Sequence, residues 1–374
     1  MKLKETGTVR PRLGNIELLR IVSMLLIVCN HFEGHALAIQ GFEWGAAHLY
    51  SNWFIRGIGY IGVNLYVLIS AYFLCQSSFK AKKLLKLLIE VWFYSMIIYG
   101  LFVGTGQVSF SFMGFFKSFL PTLCSQYWFI TCYVVMYILS PFFNKLISTL
   151  HEKQTLIRFS ILLFVLFCVI PNFFFFSEWI HFGGTCGIVW MSVVYFFGAT
   201  IRYQTDIEKL RERKRLLFGG MIFCWLLPLI TKVVIAFTTQ KVVGSVVGSS
   251  LFYMNNSIII VASSIFTFLA FLSFEIKSTA INRIIIFVAP SALAVYLIHD
   301  NVYIRPLLWK YSLYLLGDVQ YPSILYVLFL TLGIFSVCVL IDLLRRMLFY
   351  AIDNLFEIRS LQNLYNKVEN YLSI

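Results

Sequence analysis

Ile16-Glu-Leu-Leu-Arg20-Ile-Val-Ser-Met-Leu-Leu-Ile-Val-Cys-Asn-His31-Phe-Glu-Gly-His35 is an apolar run with a cation near its start and two imidazoles at its close. About 20 mostly apolar residues is the length a helix needs to cross the hydrocarbon core of a bilayer. Apolar side chains continue around the whole circumference, so this is no amphipathic helix with one wet face. Nine further stretches follow the same pattern, near 53–75, 84–104, 127–147, 156–176, 185–203, 215–237, 253–275, 284–302 and 322–345. Period-two alternation, the mark of a membrane barrel strand, is absent. The expected fold class is an all-α polytopic membrane protein with about ten transmembrane helices.

Composition agrees. Of 374 residues, 60% are hydrophobic and only 13% charged, about half the ~25% usual in soluble proteins. Phe alone occurs 38 times, and mean hydropathy is +0.82. A water-soluble fold has no surface for that much apolar area. The formal net charge of +13 raises nucleic acid as a partner. That partner requires the charge to gather on one wet face, so the positions of the 30 Lys and Arg decide the matter. With the N-terminus placed inside, 24 of them fall on inner segments. Only Arg56, Lys117, Lys232, Lys241, Arg305 and Lys310 fall elsewhere. The basic charge is therefore a topology signal with both termini cytoplasmic, and no nucleic acid is expected.

No cleavage pattern follows the first apolar run, where Cys29-Asn-His31-Phe-Glu33 stands in place of small residues, so that span is expected to be retained. The eight Cys form no Cys-x-x-Cys pair, so neither a zinc site nor a disulfide framework is indicated and no metal is expected. Cys124 and Cys186 lie near outer ends where they could pair. Residues 1–347 are expected to form the membrane domain. The tail, 348–374, reads as an amphipathic helix on the inner leaflet, from Leu348 to Leu372 at helical spacing. No internal repeat or pair of broken half-helices of the transporter kind is visible.

Ionisable groups in hydrocarbon are costly, which makes each a candidate functional group. Arg20 and His31 are eleven residues apart, about three turns, so they share one helix face roughly 16 Å apart along the axis. Arg20 would lie near the cytoplasmic surface and His31 deeper. A guanidinium fork suits the phosphates of a nucleotide-like donor, while a neutral imidazole can take a proton from a hydroxyl. The plainer alternative for Arg20 is an ion pair with Glu17, one turn back. Glu33 faces elsewhere on the helix, so the orienting partner of His31 is either His35 or a residue of another span. His299 and Asp300 close the ninth span and could line an outer substrate site. Glu90 and Asn64 are polar groups that bridge helices, and Asp342 forms an ion pair with Arg345 or Arg346. Outer segments carry Trp44, His48, Tyr127, Trp128 and Trp309, which suit either an interfacial belt or a platform for sugar rings.

Arg-Leu-Gly-Asn-Ile-Glu-Leu-Leu-Arg20 with His31 resembles the opening of the acyltransferase-3 family, whose first helix carries Arg, ten residues, then His. Gly62-Val-Asn-Leu-Tyr-Val-Leu-Ile-Ser70-Ala-Tyr-Phe-Leu74 is similar to that family's second-helix segment, with Ala71 where Gly is usual. Lys80, Lys82 and Lys83 correspond to its basic inner loop. Tyr127-Trp-Phe-Ile-Thr131, Ser140-Pro-Phe-Phe-Asn144 and Tyr296-Leu-Ile-His299 resemble its Gram-positive surface-polysaccharide branch. The resemblance covers about residues 12–345. It implies a multi-pass enzyme of the cell membrane that moves an acyl group, acetyl above all, from cytoplasmic acyl-CoA to a hydroxyl. The acceptor would be a cell-surface or capsular polysaccharide or its lipid-linked precursor. His31 would be catalytic, as general base or transient acyl carrier. Arg20, Lys80, Lys82 and Lys83 would hold the donor. Glu33, His35, Arg56, Tyr127, Trp128, His299 and Asp300 are the candidate substrate contacts. The bilayer, the donor and the glycan are the expected partners, with an envelope-biosynthesis protein as a further one. The rival class is a flippase for a lipid-linked saccharide, with His31, Arg20 and Arg56 along a polar path.

Overall fold

Inside lipid a backbone must satisfy its own hydrogen bonds, and a chain with this many apolar runs does so by forming helices. The computed structural model describes residues 12–36, 49–174, 187–315, 322–352 and 359–372. No strand occurs among them. The principal helices are α1 (Gly14–His31), α2 (Leu49–Leu74), α3 (Ala81–Gly104), α4 (Phe112–Phe119), α5 (Trp128–Glu152), α6 (Leu156–Phe164) and α7 (Ile188–Gln204). They continue with α8 (Lys214–Val243), α9 (Ile258–Leu272), α10 (Thr279–Val288), α11 (Ala292–His299), α12 (Ile304–Tyr314), α13 (Ile324–Ile352) and α14 (Arg359–Leu372). Eight helical segments among the described residues are long and apolar enough to cross a membrane. The sixth and eighth expected spans correspond to α7 and α9, which are shorter, at 17 and 15 residues, and largely buried by their neighbours. Cys186, Trp44 and His48 lie outside the described residues.

α2 is the packing hub, touched by α1, α7, α8 and α9. Its closest neighbours approach where a side chain is missing. A methyl group at Gly62 would stand 2.6 Å from the Ser23 carbonyl of α1, and one at Gly198 of α7 would stand 2.6 Å from the Ala71 Cβ. Van der Waals packing rather than hydrophobicity holds helices together in lipid, so such approaches carry much of the association. Ala71, where Gly is usual in the resembling segment, is completely buried. The missing volume is supplied across the interface instead, by Gly198.

Polar side chains tie the same helices. Asn64 Nδ2 donates to the Asn255 carbonyl at 2.8 Å, and its Oδ1 accepts from Trp190 Nε1 at 3.0 Å. Asp342 accepts from Tyr94 Oη and Arg345 Nε, both at 2.7 Å, while Glu90 lies 3.2 Å from the same guanidinium. That cluster joins α3 to α13. The apolar pattern of α13 persists through 347–348 to Ile352, and the tail helix is α14. Its Tyr365 is buried against a group that includes Phe79, Leu84 and Tyr137. Glu369 accepts from the Ala81 N–H at the start of α3 at 2.9 Å and lies 3.6 Å from Lys80 Nζ.

The Ala71–Gly198 contact is testable by a swap. Gly198→Ala alone is expected to cost about 1–3 kcal/mol through overpacking. Adding Ala71→Gly should recover most of that loss. Thermal unfolding of the single and double variants in detergent reads both values, and simple additivity of the two changes would contradict the contact.

Candidate functional site

Arg20 stands in the wall of a cavity of about 360 Å³, together with Lys83, Tyr133, Tyr137 and Pro290. His31 lines a second and much smaller cavity of about 30 Å³, with Trp128 and Tyr296. Tyr66 of α2, Phe129 of α5 and Leu293 of α11 line both, so the two adjoin. One face of α1 thus follows a mostly apolar path from a guanidinium to an imidazole. The break between α10 and α11 shapes that path. Pro290 lacks an N–H and cannot continue a regular helix, and a single 3-10 turn, Ala289–Ser291, takes its place. Ala289 and Pro290 line the larger cavity at this break.

His31 is the last residue of α1, and Phe32–Ala36 continue it as one π-helical turn. Such wider turns recur at functional sites because they re-aim side chains without ending the helix. Here the rings of His31 and His35 lie 5.4 Å apart. Both face Asp300, at the C-terminal end of α11, while Glu33 turns to α2 and pairs with Arg56. His31 Nδ1 lies 2.9 Å from His299 Nε2 and 3.7 Å from Asp300 Oδ1. His35 Nε2 is likewise 3.7 Å from Asp300 Oδ1, and Arg305 Nη1 is 3.3 Å from it. The direct partner of His31 therefore comes from another span. His299 is fully buried, whereas the His31 side chain keeps 17% exposure.

The remaining candidates divide among different tasks. Tyr127 is buried, donating to the Leu297 carbonyl at 3.0 Å and accepting from Asn301 Nδ2 at 2.7 Å. It fixes the end of α11 that carries His299 and Asp300. Trp128 reaches the small cavity beside His31. Of the lysines, Lys83 lines the Arg20 cavity, whereas Lys80 borders a separate one of about 540 Å³ with Lys145 and the tail. Lys82 lies between them on the first turn of α3. Arg20 does pair with Glu17, at 3.2 Å, and also lines the larger cavity. Tyr66, Phe129 and Leu293 escape sequence reasoning, since apolar and aromatic side chains along a path look the same as those filling a core.

His31, His35 and Asp300 bring ligand atoms within 4.8 Å of one another, a donor set that a cation can use. Each end of the set is already engaged, His31 by His299 and Asp300 by the Arg305 guanidinium. A second cation beside that guanidinium meets direct repulsion. What the arrangement offers chemically is an imidazole base, a second imidazole behind it and a carboxylate oxygen 3.7 Å away.

A polytopic helical membrane protein, with two histidines and an aspartate gathered where α1 meets the end of α11, is the class these features define. Residues 13–343 match the acyltransferase-3 model, described as an acyltransferase domain, and the chain belongs to that family. Neither a curated protein nor a solved structure matches the chain. The protein is a membrane acyltransferase.

Asp300 offers the first check on the site. Asp300→Asn keeps the shape but removes the negative charge that lies 3.7 Å from a ring nitrogen of both His31 and His35. Acyl-transfer turnover is expected to fall about tenfold or more with unfolding temperature little changed, since a charge some 4 Å away acts strongly in a partly buried setting. Turnover and melting measured on the same preparation test this, and unchanged turnover would remove Asp300 from the site.

Proposed function

We propose that the protein transfers an acyl group, in the first instance acetyl, from cytoplasmic acyl-CoA to a hydroxyl of a surface polysaccharide or its lipid-linked precursor. The observation that carries this reading is the pair of adjoining cavities joining Arg20 to His31 along one face of α1. The Arg20 end, with Lys83 beside it, offers two cations to the donor's phosphates, and guanidinium binds phosphate by a planar fork. The apolar walls beyond, Tyr66, Phe129 and Leu293, suit the slender arm of a thioester donor. The positive-inside distribution supports a cytoplasmic side for that end, where acyl-CoA is made.

In the transfer, His31 takes the proton of the acceptor hydroxyl as its oxygen adds to the thioester carbonyl. The tetrahedral intermediate collapses with cleavage of the carbon–sulfur bond. The imidazolium then returns the proton to the departing thiolate, so that the products are an ester and free CoA. Asp300 stabilises the imidazolium while it lasts. Glu33, Arg56 and His35, on the far side of His31 from Arg20, are the polar groups placed to meet a sugar, with Trp128 at the rim of the small cavity. A polysaccharide of the Gram-positive cell envelope is the acceptor class that the Tyr127–Thr131 and Tyr296–His299 segments favour.

Purified protein in nanodiscs, given labelled acetyl-CoA and a lipid-linked glycan, tests the reading. His31→Ala is expected to lower transfer about 10³-fold, within the range general acid–base groups supply. Arg20→Ala is expected to raise KM for acetyl-CoA about tenfold or more, with kcat less affected, because a charge-assisted contact to phosphate is lost. Undiminished transfer by His31→Ala would overturn the assignment, and glycan movement without acyl consumption would favour a flippase.

A further inference from the structure

Every neutral imidazole has one nitrogen with a proton and one with a lone pair, and which is which decides whether it can act as a base at a given edge. At His31 the choice is made two residues away from the chemistry. His299 Nδ1 lies 2.5 Å from the carbonyl oxygen of Val295, one turn back in its own helix. A carbonyl oxygen only accepts, so His299 must carry its proton on Nδ1. The other nitrogen of His299, Nε2, is then a bare lone pair. It faces His31 Nδ1 at 2.9 Å. Two lone pairs at that distance would repel, so His31 must hold its proton on Nδ1 and donate it to His299.

We infer that His299 is a positioning residue that fixes the tautomer of His31, leaving His31 Nε2 as the bare nitrogen that accepts the proton or the acyl group. This rests on the acyl-transfer reading for its purpose, though not for its geometry. The chain of constraint runs from the Val295 carbonyl through His299 to His31, and each link allows a single direction of donation. His299 has no edge left for substrate. It is fully buried, with one nitrogen on its own helix and the other on His31. Trp309 packs edge-on against its ring, with centroids 6.4 Å apart, and Tyr127 with Asn301 holds the end of the helix that carries it.

The arrangement also survives the reaction. When His31 Nε2 takes a proton, the Nδ1–H stays where it is and becomes a charge-assisted donor to the same His299 lone pair. No rearrangement of the pair is needed between the two protonation states. The charged and titratable groups around His31 are His35 and Glu33 on the turn that follows it and His299 and Asp300 at the end of α11. Tyr296 lies on α11, Arg305 on α12, and Tyr66 and Arg56 on α2. Among these, only His299 is within hydrogen-bond distance of a His31 nitrogen. The same tautomer serves a general base and a transient acyl carrier, because either role needs a bare Nε2.

The test reads the proton directly. The chain has six histidines, so nitrogen-15 spectra of histidine-labelled protein in nanodiscs are simple, and His31→Gln assigns the His31 signals by their loss. The expected result is a protonated Nδ1 and an unprotonated Nε2 on His31. His299→Gln, whose amide oxygen can still accept, should preserve that signature and keep turnover within about tenfold. His299→Phe keeps a ring but offers no lone pair. It should lose the tautomer preference and lower kcat about 10²-fold or more, with KM for acetyl-CoA little changed. A proton on Nε2 of His31 in the unmodified protein would overturn the inference. So would His299→Phe with wild-type tautomer and turnover, and should that variant fail to fold, the wild-type and Gln spectra still decide. The stated tautomer without any acyl transfer would sustain the positioning role and overturn the proposed reaction instead.

Discussion

Hydrocarbon provides no hydrogen bonds, and this constraint organises the whole molecule. Each polar group placed within the bundle must find a protein partner or go without. Asn64 finds Trp190 and the Asn255 backbone, and Asp342 finds Tyr94 and Arg345. His31 finds His299, whose own second nitrogen is satisfied by a carbonyl of its helix. A soluble enzyme can leave an imidazole edge to water. Here satisfaction and orientation are the same event: the hydrogen bond that satisfies the ring also fixes how it is turned.

Positions of close approach explain how the bundle brings these groups together. α1 lies against α2 at Gly62, and α2 against α7 through Ala71 and Gly198. Beside the α1–α2 seam, Arg20 and His31 line adjoining cavities that share Tyr66 of α2, Phe129 of α5 and Leu293 of α11. The break at Pro290 adds the remaining wall.

The lysines around the start of α3 meet different neighbours. Lys83 stands beside Arg20 at the larger cavity, while Lys80, three residues earlier, is bound to Glu369 of the tail. Membrane insertion needs only that both cations stay on one side. Their division between a cavity wall and a docked C-terminal helix depends on which neighbours each meets. The tail is likewise more than a surface-lying amphipath, since its Tyr365 is buried and its Glu369 caps the N-terminal end of α3.

The fold class and much of the helix order were legible in the chain itself, because length and apolarity are local properties that a bilayer reads locally. The Arg20–His31 face was legible as well, since helical periodicity converts an eleven-residue spacing into a direction. His299 and Asp300 stood out as polar residues at a helix end, but nothing in the sequence linked them to a histidine 268 positions earlier. Nor could spacing tell that Tyr127 clamps a helix end rather than presenting its ring, or that Gly198 supplies the room Ala71 lacks. Those facts depend on which helices lie side by side, and that is settled by packing across the whole bundle. The sequence by itself determined a membrane bundle with a cation and an imidazole on one face. Only the tertiary structure decided what stands behind the imidazole, because a hydrogen bond between distant spans exists only once both have been placed.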